Sequence, residues 1–241
     1  MAVLDLARRH ALTRSTSRRI GLSTMKVVAV LSEKGGAGKT TLAVHLATAA
    51  HLAGQKVMIL DLDPQGSAYA WAERRTEPPE AEAIPPVALA GWLDRLKDAG
   101  AGLVILDTGR DSNNAGYTAA KAADLLLIPC RVGGFDFLAL DRTLDLCRLA
   151  GKRPSVVLNA LRPGSVRAEA DAREALADLD CDLAPAALHD RVDFRTASVA
   201  ARSAQELDPA SKAAGEVETL YSWVSQQIGL STTRRRKEAN I

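Results

Sequence analysis

A run of glycine, lysine and hydroxyl residues at positions 34–41, Lys-Gly-Gly-Ala-Gly-Lys-Thr-Thr, has the composition of a phosphate-binding loop. It follows the apolar run 27–31 and leads into a helical pattern from Leu42 to Ala53. Glycines let backbone N–H groups turn towards an anion, and the following helix adds its unpaired N-terminal amides and the positive end of its dipole. This order of strand, glycine loop and helix predicts a phosphate site.

The side chains of the loop have separate predicted tasks. Lys39 adds a point charge for the phosphates, and Thr40, the first hydroxyl after it, is placed to reach Mg²⁺. The ordinary P-loop pattern requires a glycine where this sequence has Glu33, five residues before Gly38. The loop instead begins with a second lysine, Lys34.

Carboxylates follow two further apolar runs. Residues 56–60 lead to Asp61 and Asp63, and residues 103–106 lead to Asp107. Ligands of open parallel sheets bind at the carboxyl ends of the strands. Two carboxylates that lie two residues apart on an extended segment point the same way, so both are expected to face the ligand. An apolar strand ending in aspartate is the arrangement that holds Mg²⁺ in P-loop proteins.

The loop 34–41 resembles the deviant Walker A loop of the ParA/MinD family of P-loop ATPases, and most closely that of ParA-type plasmid and chromosome partition proteins. The resemblance extends from Met25 to about Ile228. It implies ATP and Mg²⁺ as ligands, a catalytic Lys34 that crosses an ATP-sandwiched homodimer to the partner's nucleotide, and a catalytic Asp63 that positions the attacking water. The predicted nucleotide-binding residues are Gly35, Gly36, Ala37, Gly38, Lys39, Thr40, Thr41 and Asn159, and the predicted magnesium residues are Thr40, Asp61 and Asp107.

Asn159 enters this set because it ends the apolar run 155–158. Its amide offers a donor and an acceptor to an adenine edge, and the family often places its adenine contact there. An asparagine that starts a turn is the alternative interpretation.

Family members bind DNA without sequence preference through basic residues near their final helices. Phosphate contacts need only positive charge on one face. Scattered basic residues are more often simply a solvated surface. The candidate DNA-binding residues are Arg191, Arg195, Arg202 and Lys212.

The sequence departs from the family pattern after Asp107. The family usually continues with proline, whereas this chain reads Thr108-Gly109-Arg110. Gly109 keeps the turn permissive but makes it less rigid than proline would. The departure puts in question how this loop couples hydrolysis to the dimer interface.

Strands that alternate with helices predict an α/β fold with a doubly wound, mainly parallel sheet in a single domain, residues 25–230. The Pro-rich stretch 78–86 is predicted to be a surface loop or short insertion. Leu220, Val224 and Ile228 recur every four residues, which predicts a packing stripe on the last helix.

The composition, 47% hydrophobic and 25% charged residues in 241, suits one α/β domain with a full core. The three cysteines have no metal-ligand spacing, which argues against a zinc site and an iron–sulfur protein of the nitrogenase type. No apolar stretch approaches the roughly 20 residues that cross a bilayer, so we expect no stable membrane insertion. The chain is expected to be cytoplasmic, and nucleoid-associated when bound to ATP.

Basic residues concentrate at both ends of the chain. Residues 1–24 contain five arginines and one aspartate, and residues 231–241 contain four basic residues and one glutamate. The first segment is expected to be an unstructured extension; a transit peptide, a DNA-binding arm and a start codon chosen too far upstream remain alternatives. The second is expected to be a basic tail. It lacks the large apolar residues of an amphipathic membrane helix.

The expected function is that of a ParA-like ATPase for plasmid or chromosome partition. Its ATP-dependent homodimer would bind non-specific DNA and be released when a ParB-like centromere-binding partner stimulates slow hydrolysis. Two alternatives remain open, a conjugative DNA-transfer accessory ATPase that recruits a relaxase complex and a MinD-like positioning ATPase.

Overall fold

A seven-stranded sheet forms the centre of the molecule. The computed structural model describes residues 25–110, 113–132 and 134–230. The neighbouring strands are all parallel and follow the order β3-β2-β4-β1-β5-β6-β7. Their bounds are β1 Lys26–Val30, β2 Val57–Asp61, β3 Glu80–Ala83, β4 Leu103–Asp107, β5 Leu125–Arg131, β6 Ser155–Asn159 and β7 Asp182–Leu183. The predicted doubly wound, parallel α/β fold is confirmed.

Helices cover both faces of this sheet. Apart from a single 3-10 turn at Pro86–Ala88, the described helices are α1 Lys39–Leu52, α2 Ser67–Ala72, α3 Leu89–Asp98, α4 Asn113–Ala122, α5 Gly134–Leu149, α6 Val166–Ala177, α7 Val192–Val199, α8 Ala204–Leu207 and α9 Lys212–Gln227. No helix in the described ranges is both long and apolar enough to span a membrane.

Side chains of the central strands alternate between two separate cores. Val27 and Ala29 of β1 belong to the core under α3, α4, α5 and α6, whereas Val28 and Val30 belong to the core under α1, α2, α7 and α9. A strand that is buried on both faces has no polar alternation, which is why its sequence reads as a continuous apolar run. The predicted stripe on α9 is confirmed, because Leu220 and Val224 pack into the second core.

The prediction of a loop over residues 78–86 is wrong in its centre. Residues Glu80–Ala83 form the edge strand β3, which pairs with β2 through registers such as Ile59↔Ala81. Glu-Ala-Glu-Ala contains no β-branched or aromatic residue, so its intrinsic strand propensity is low. The free edge of β2 and the burial of Ala81, which is 4% exposed, stabilise the strand instead. The termini 1–24 and 231–241 lie outside the described residues.

A fully buried histidine lies on α1, the helix that follows the glycine loop. His45 Nδ1 donates to the Thr41 carbonyl at 2.7 Å, and its ring meets Phe194 edge to face at 5.0 Å between centroids. Burial lowers the pKa of His45 from 6.5 to about 4, against smaller opposing effects of the Thr41 hydrogen bond and the Glu206 charge. The ring is therefore neutral in the folded protein at neutral pH.

This burial predicts a loss of stability in acid. Because the unfolded histidine takes up a proton below pH 6.5 and the folded one only below about pH 4, the free energy of unfolding falls as pH drops through this window. The histidine contribution amounts to about 3 kcal/mol. Urea denaturation of the wild type and of His45→Asn between pH 7.5 and 4.5 measures it. At pH 7.5 the variant should have a lower free energy of unfolding than the wild type, and this free energy should depend less on pH. An equal pH dependence in the two proteins would contradict the burial of a neutral His45.

Candidate nucleotide site

The glycine loop is built by two residues in the left-handed backbone region. Gly36 has a φ of +75° and Gly38 a φ of +98°, conformations that favour glycine because a Cβ would be strained there. Gly38 is the N-cap of α1 and leaves the first amides of this helix without a side-chain cap. Uncapped helix amides beside a glycine loop form an anion site.

Asn159 holds this loop from the end of β6. Its Nδ2 donates to the Ala37 carbonyl at 2.7 Å, and a Cβ on Gly38 would lie only 2.1 Å from the same nitrogen. Glycine is thus required at position 38 for two reasons: its φ is positive, and a Cβ would overlap the Asn159 amide. The adenine contact predicted for Asn159 stays a prediction, and the contact seen here is with the loop.

The two lysines of the loop are close to one another. Lys39 is 8% exposed, and its Nζ lies 3.4 Å from the carbonyl oxygen of Lys34. The Lys34 N–H in turn donates to Ser32 Oγ at 3.2 Å. These contacts fix the backbone at the start of the loop and leave the Lys34 side chain half-buried.

Asp107 is a fully buried carboxylate at the end of β4. Thr40 donates to its Oδ2 at 2.7 Å, while its Oδ1 has no hydrogen-bond partner in the described structure. Burial raises the pKa of Asp107 to about 7; the nearby Asp61 charge adds to this, whereas the Thr40 hydrogen bond and Lys39 oppose it. A buried carboxylate with an unpaired oxygen is a strong candidate to face a cation.

The other predicted magnesium residue, Asp61, is committed to the backbone. It lies opposite Asp107 in the strand register, but its Oδ1 accepts from the Asp63 N–H at 3.0 Å and its Oδ2 from those of Ala68 and Tyr69 at 2.8 and 3.0 Å. Burial raises the pKa of Asp61, and these backbone hydrogen bonds oppose the shift. Its observed role is to cap α2 and to fix the turn that carries Asp63.

Asp63 lies at the mouth of the site, where it is partly exposed. Its Oδ1 accepts from the Gln65 N–H at 2.9 Å. A Cβ on Gly109 would lie 3.1 Å from that oxygen, so Asp63 packs directly against the turn after β4.

The glycine loop, Lys39, Thr40 and Asp63 line one open pocket of about 440 Å³, and the buried Asp107 lies behind Thr40 rather than in its lining. Most of its lining, including the glycine loop and Asp63, consists of residues predicted to serve nucleotide binding or catalysis. Two lining residues, Gln65 and Arg110, have no predicted role. Both lie in segments that were compared with the family pattern, Gln65 two residues after Asp63 and Arg110 directly after Gly109. This proximity is the only feature of the sequence that could have indicated a role for them.

The site fits Mg²⁺. Magnesium prefers oxygen ligands and usually takes one or two protein oxygens together with phosphate and water. The Thr40 hydroxyl and the unpaired Asp107 oxygen supply such a pair. Within the described ranges, no cluster of three or more His, Cys, Asp or Glu residues could form a metal site built from protein ligands alone.

The candidate DNA-binding residues have different surroundings. Arg191 is 18% exposed, and its Nη2 lies 2.6 Å from Glu216 Oε1, which also contacts His189. Arg195 is 63% exposed and pairs with Asp190 at 2.6 Å. Two further residues, Arg202 and Lys212, are exposed. The Arg191 guanidinium is therefore part of a partly buried ion-pair cluster, whereas the other three side chains are exposed.

Comparison with known proteins identifies the family. Residues 28–212 match the model of the CobQ/CobB/MinD/ParA nucleotide binding domain. The chain belongs to this family. The resemblance to ParA/MinD proteins is thereby confirmed, and with it the assignment of the chain as a nucleotide-binding P-loop protein.

Two curated relatives and a solved structure illustrate the match. Maintenance of carboxysome distribution protein A of Gloeobacter kilaueensis is 37% identical over 63% of this chain and 70% of its own length. Protein ParA of Rhizobium radiobacter is 37% identical over 51% of this chain and 56% of its own length. The septum site-determining protein MinD of Pyrococcus horikoshii, solved with Mg-ADP, has a TM-score of 0.71 at 17% identity and covers 86% of this chain and 98% of its own.

The buried Asp107 predicts a conflict between stability and ligand binding. Because the pKa of Asp107 is raised to about 7, its ionised form destabilises the ligand-free fold above that pH, and the cost disappears as pH falls towards the unfolded value of 3.8. We expect Asp107→Asn to raise the free energy of unfolding by about 1–3 kcal/mol at pH 8 and far less at pH 5. Urea denaturation without Mg²⁺ or nucleotide measures this.

Asp98→Asn, at the exposed end of α3, is the matched control and should change neither value. In the presence of Mg²⁺ and ATP, Asp107→Asn should lose hydrolysis despite its added stability. A variant that is destabilised at both pH values would show that the charge of Asp107 is compensated within the protein.

Proposed function

We propose that this protein is a ParA-like partition ATPase. ATP and Mg²⁺ close a homodimer, the dimer binds DNA without sequence preference, and a ParB-like partner releases it by stimulating slow hydrolysis. The observation that carries this proposal is the glycine loop with two lysines, in which the backbone of Lys34 contacts Lys39 Nζ beside a formed pocket. The relatives named Protein ParA and Maintenance of carboxysome distribution protein A support it.

The residues predicted for the site have separate tasks in this proposal. The amides of residues 35–41 and the Lys39 ammonium bind the phosphates. Thr40 and Asp107 hold Mg²⁺, which neutralises phosphate charge when bound. Asp63 orients the attacking water from the mouth of the pocket. Asp61 acts behind them by fixing the turn of Asp63, because both of its oxygens already accept backbone N–H groups.

Lys34 is proposed to act on the nucleotide of the partner subunit. It stands at the start of the loop, where the backbone contacts with Ser32 and Lys39 hold it in place. A charge supplied in trans accelerates hydrolysis by about 10³–10⁵ in other NTPases. The same contact links dimer formation to the presence of ATP.

DNA contacts are assigned to the exposed basic residues Arg195, Arg202 and Lys212. Arg191 is left out, because its guanidinium is paired with Glu216 and contributes to the packing of α7 on α9. Contacts from exposed lysine and arginine to phosphate are sensitive to salt, since binding releases condensed counterions.

A second candidate is a positioning ATPase that uses another surface, such as an anionic membrane. The relative named for carboxysome distribution and the MinD structure support this second candidate. It shares the nucleotide-dependent dimer with the first proposal and differs only in the matrix. Parallel assays with DNA and with anionic vesicles separate the two.

Co-sedimentation with random duplex DNA tests the proposal. We expect the wild type to bind DNA with ATP and Mg²⁺ but not with ADP or without nucleotide, and to lose binding as salt is raised. Lys34→Ala should abolish the ATP-dependent fraction. Lys97→Ala, at an exposed position on α3, is the matched control and should behave as the wild type.

Binding that is equal in all nucleotide states would refute the nucleotide clamp. ATP-dependent binding to vesicles of anionic phospholipid, with none to DNA, would replace the partition proposal by the positioning one.

A further inference from the structure

We infer that Arg110 binds the terminal phosphate of ATP within its own subunit, in addition to the lysine proposed to act in trans. The inference rests on the proposed function, because it requires ATP in the pocket. The segment concerned, Thr108-Gly109-Arg110, departs from the family pattern after Asp107 and lies beside the glycine loop.

The turn is anchored at its first residue. Thr108 is 2% exposed, and its Oγ1 donates to the Val30 carbonyl at 2.9 Å, which ties the turn to the end of β1 just before the glycine loop. The next residue, Gly109, lies against Asp63, where a Cβ would be 3.1 Å from the carboxylate oxygen. The turn therefore touches the residue proposed to orient water.

The Arg110 side chain lies across the start of the glycine loop. A Cβ on Gly35 would be 2.9 Å from Arg110 Nη1 and 3.3 Å from its Cδ, so any side chain at position 35 would displace the arginine. Gly35 is not in the left-handed region, and its lack of a Cβ serves this close approach. Arg110 lines the same pocket as Lys39 and Asp63.

The guanidinium is available for a ligand. No ion pair or hydrogen bond joins it to another residue in the part of the chain that the structure describes, whereas Arg75, Arg153, Arg173 and Arg191 are all paired with carboxylates. A planar guanidinium offers two parallel N–H donors to a phosphate, which makes arginine a more specific phosphate ligand than lysine.

The position of Arg110 points to the terminal phosphate. Arg110 follows Gly109, which packs against Asp63, and both side chains line the pocket. The attacking water that Asp63 is proposed to orient must approach the phosphate that is transferred. A cation beside that water path stabilises the charge of the transferred group. Its contact with the phosphate is lost when that group leaves. Gly109, in place of a rigid proline, lets the turn follow this change.

Nucleotide titration calorimetry tests the inference. With Mg²⁺, Arg110→Ala should weaken binding of a non-hydrolysable ATP analogue by about tenfold, the effect of one lost charge-assisted hydrogen bond, and should change ADP binding by less than about twofold. Arg110→Lys should restore part of the ATP affinity. Arg167→Ala on α6, whose side chain is 96% exposed, is the matched control and should change neither affinity.

The same measurement in a Lys34→Ala background tests action within one subunit. If dimerisation depends on Lys34, the tenfold effect of Arg110→Ala on the ATP analogue should persist in this background. Loss of the effect there would overturn action in cis, and equal weakening of ADP and ATP analogue, or of neither, would overturn the terminal-phosphate contact. If the wild type itself bound no ATP analogue, the proposed function would fail, and the inference with it.

Discussion

The hydrogen bond from Thr40 to the buried Asp107 carboxylate is the contact on which the site depends. It joins the first turn of α1 to the end of β4, and therefore links the glycine loop to the adjacent strand of the sheet. Because burial raises the pKa of Asp107 to about 7, this arrangement destabilises the ligand-free protein at neutral pH. A buried carboxylate that suits a cation therefore lowers the stability of the ligand-free protein. Functional sites commonly contain buried charges that reduce stability in this way.

Three close approaches to glycine give the pocket its shape. Gly38 makes room for Asn159, Gly109 for Asp63 and Gly35 for Arg110. In each case a polar side chain from another segment of the chain lies against the backbone of the glycine. A methyl group at any of these positions would press on Asn159, Asp63 or Arg110, so all three glycines are required for close contact. Gly38 is required for its positive φ as well.

Polar groups behind the site are largely occupied by structural hydrogen bonds. Asp61 fixes α2 and the Asp63 turn, and Glu216 collects Arg191 and His189. His45 stays neutral inside the core beneath the glycine loop. The groups left to face a ligand are consequently few, and they lie together at the carboxyl ends of β1, β2 and β4, as expected for an open parallel sheet.

The sequence by itself determined the buried central strands, the parallel sheet and the glycine loop. These follow from local patterns: strands buried on both faces read as apolar runs, and a phosphate loop needs glycines before a helix. Tertiary structure decided the rest. The edge strand Glu80–Ala83 forms because β2 has a free edge, not because of its own propensity. Arg110 reaches the loop across more than seventy residues of chain, and Asp61 turns to backbone amides, because such partners are set by packing and leave no local signal in the sequence.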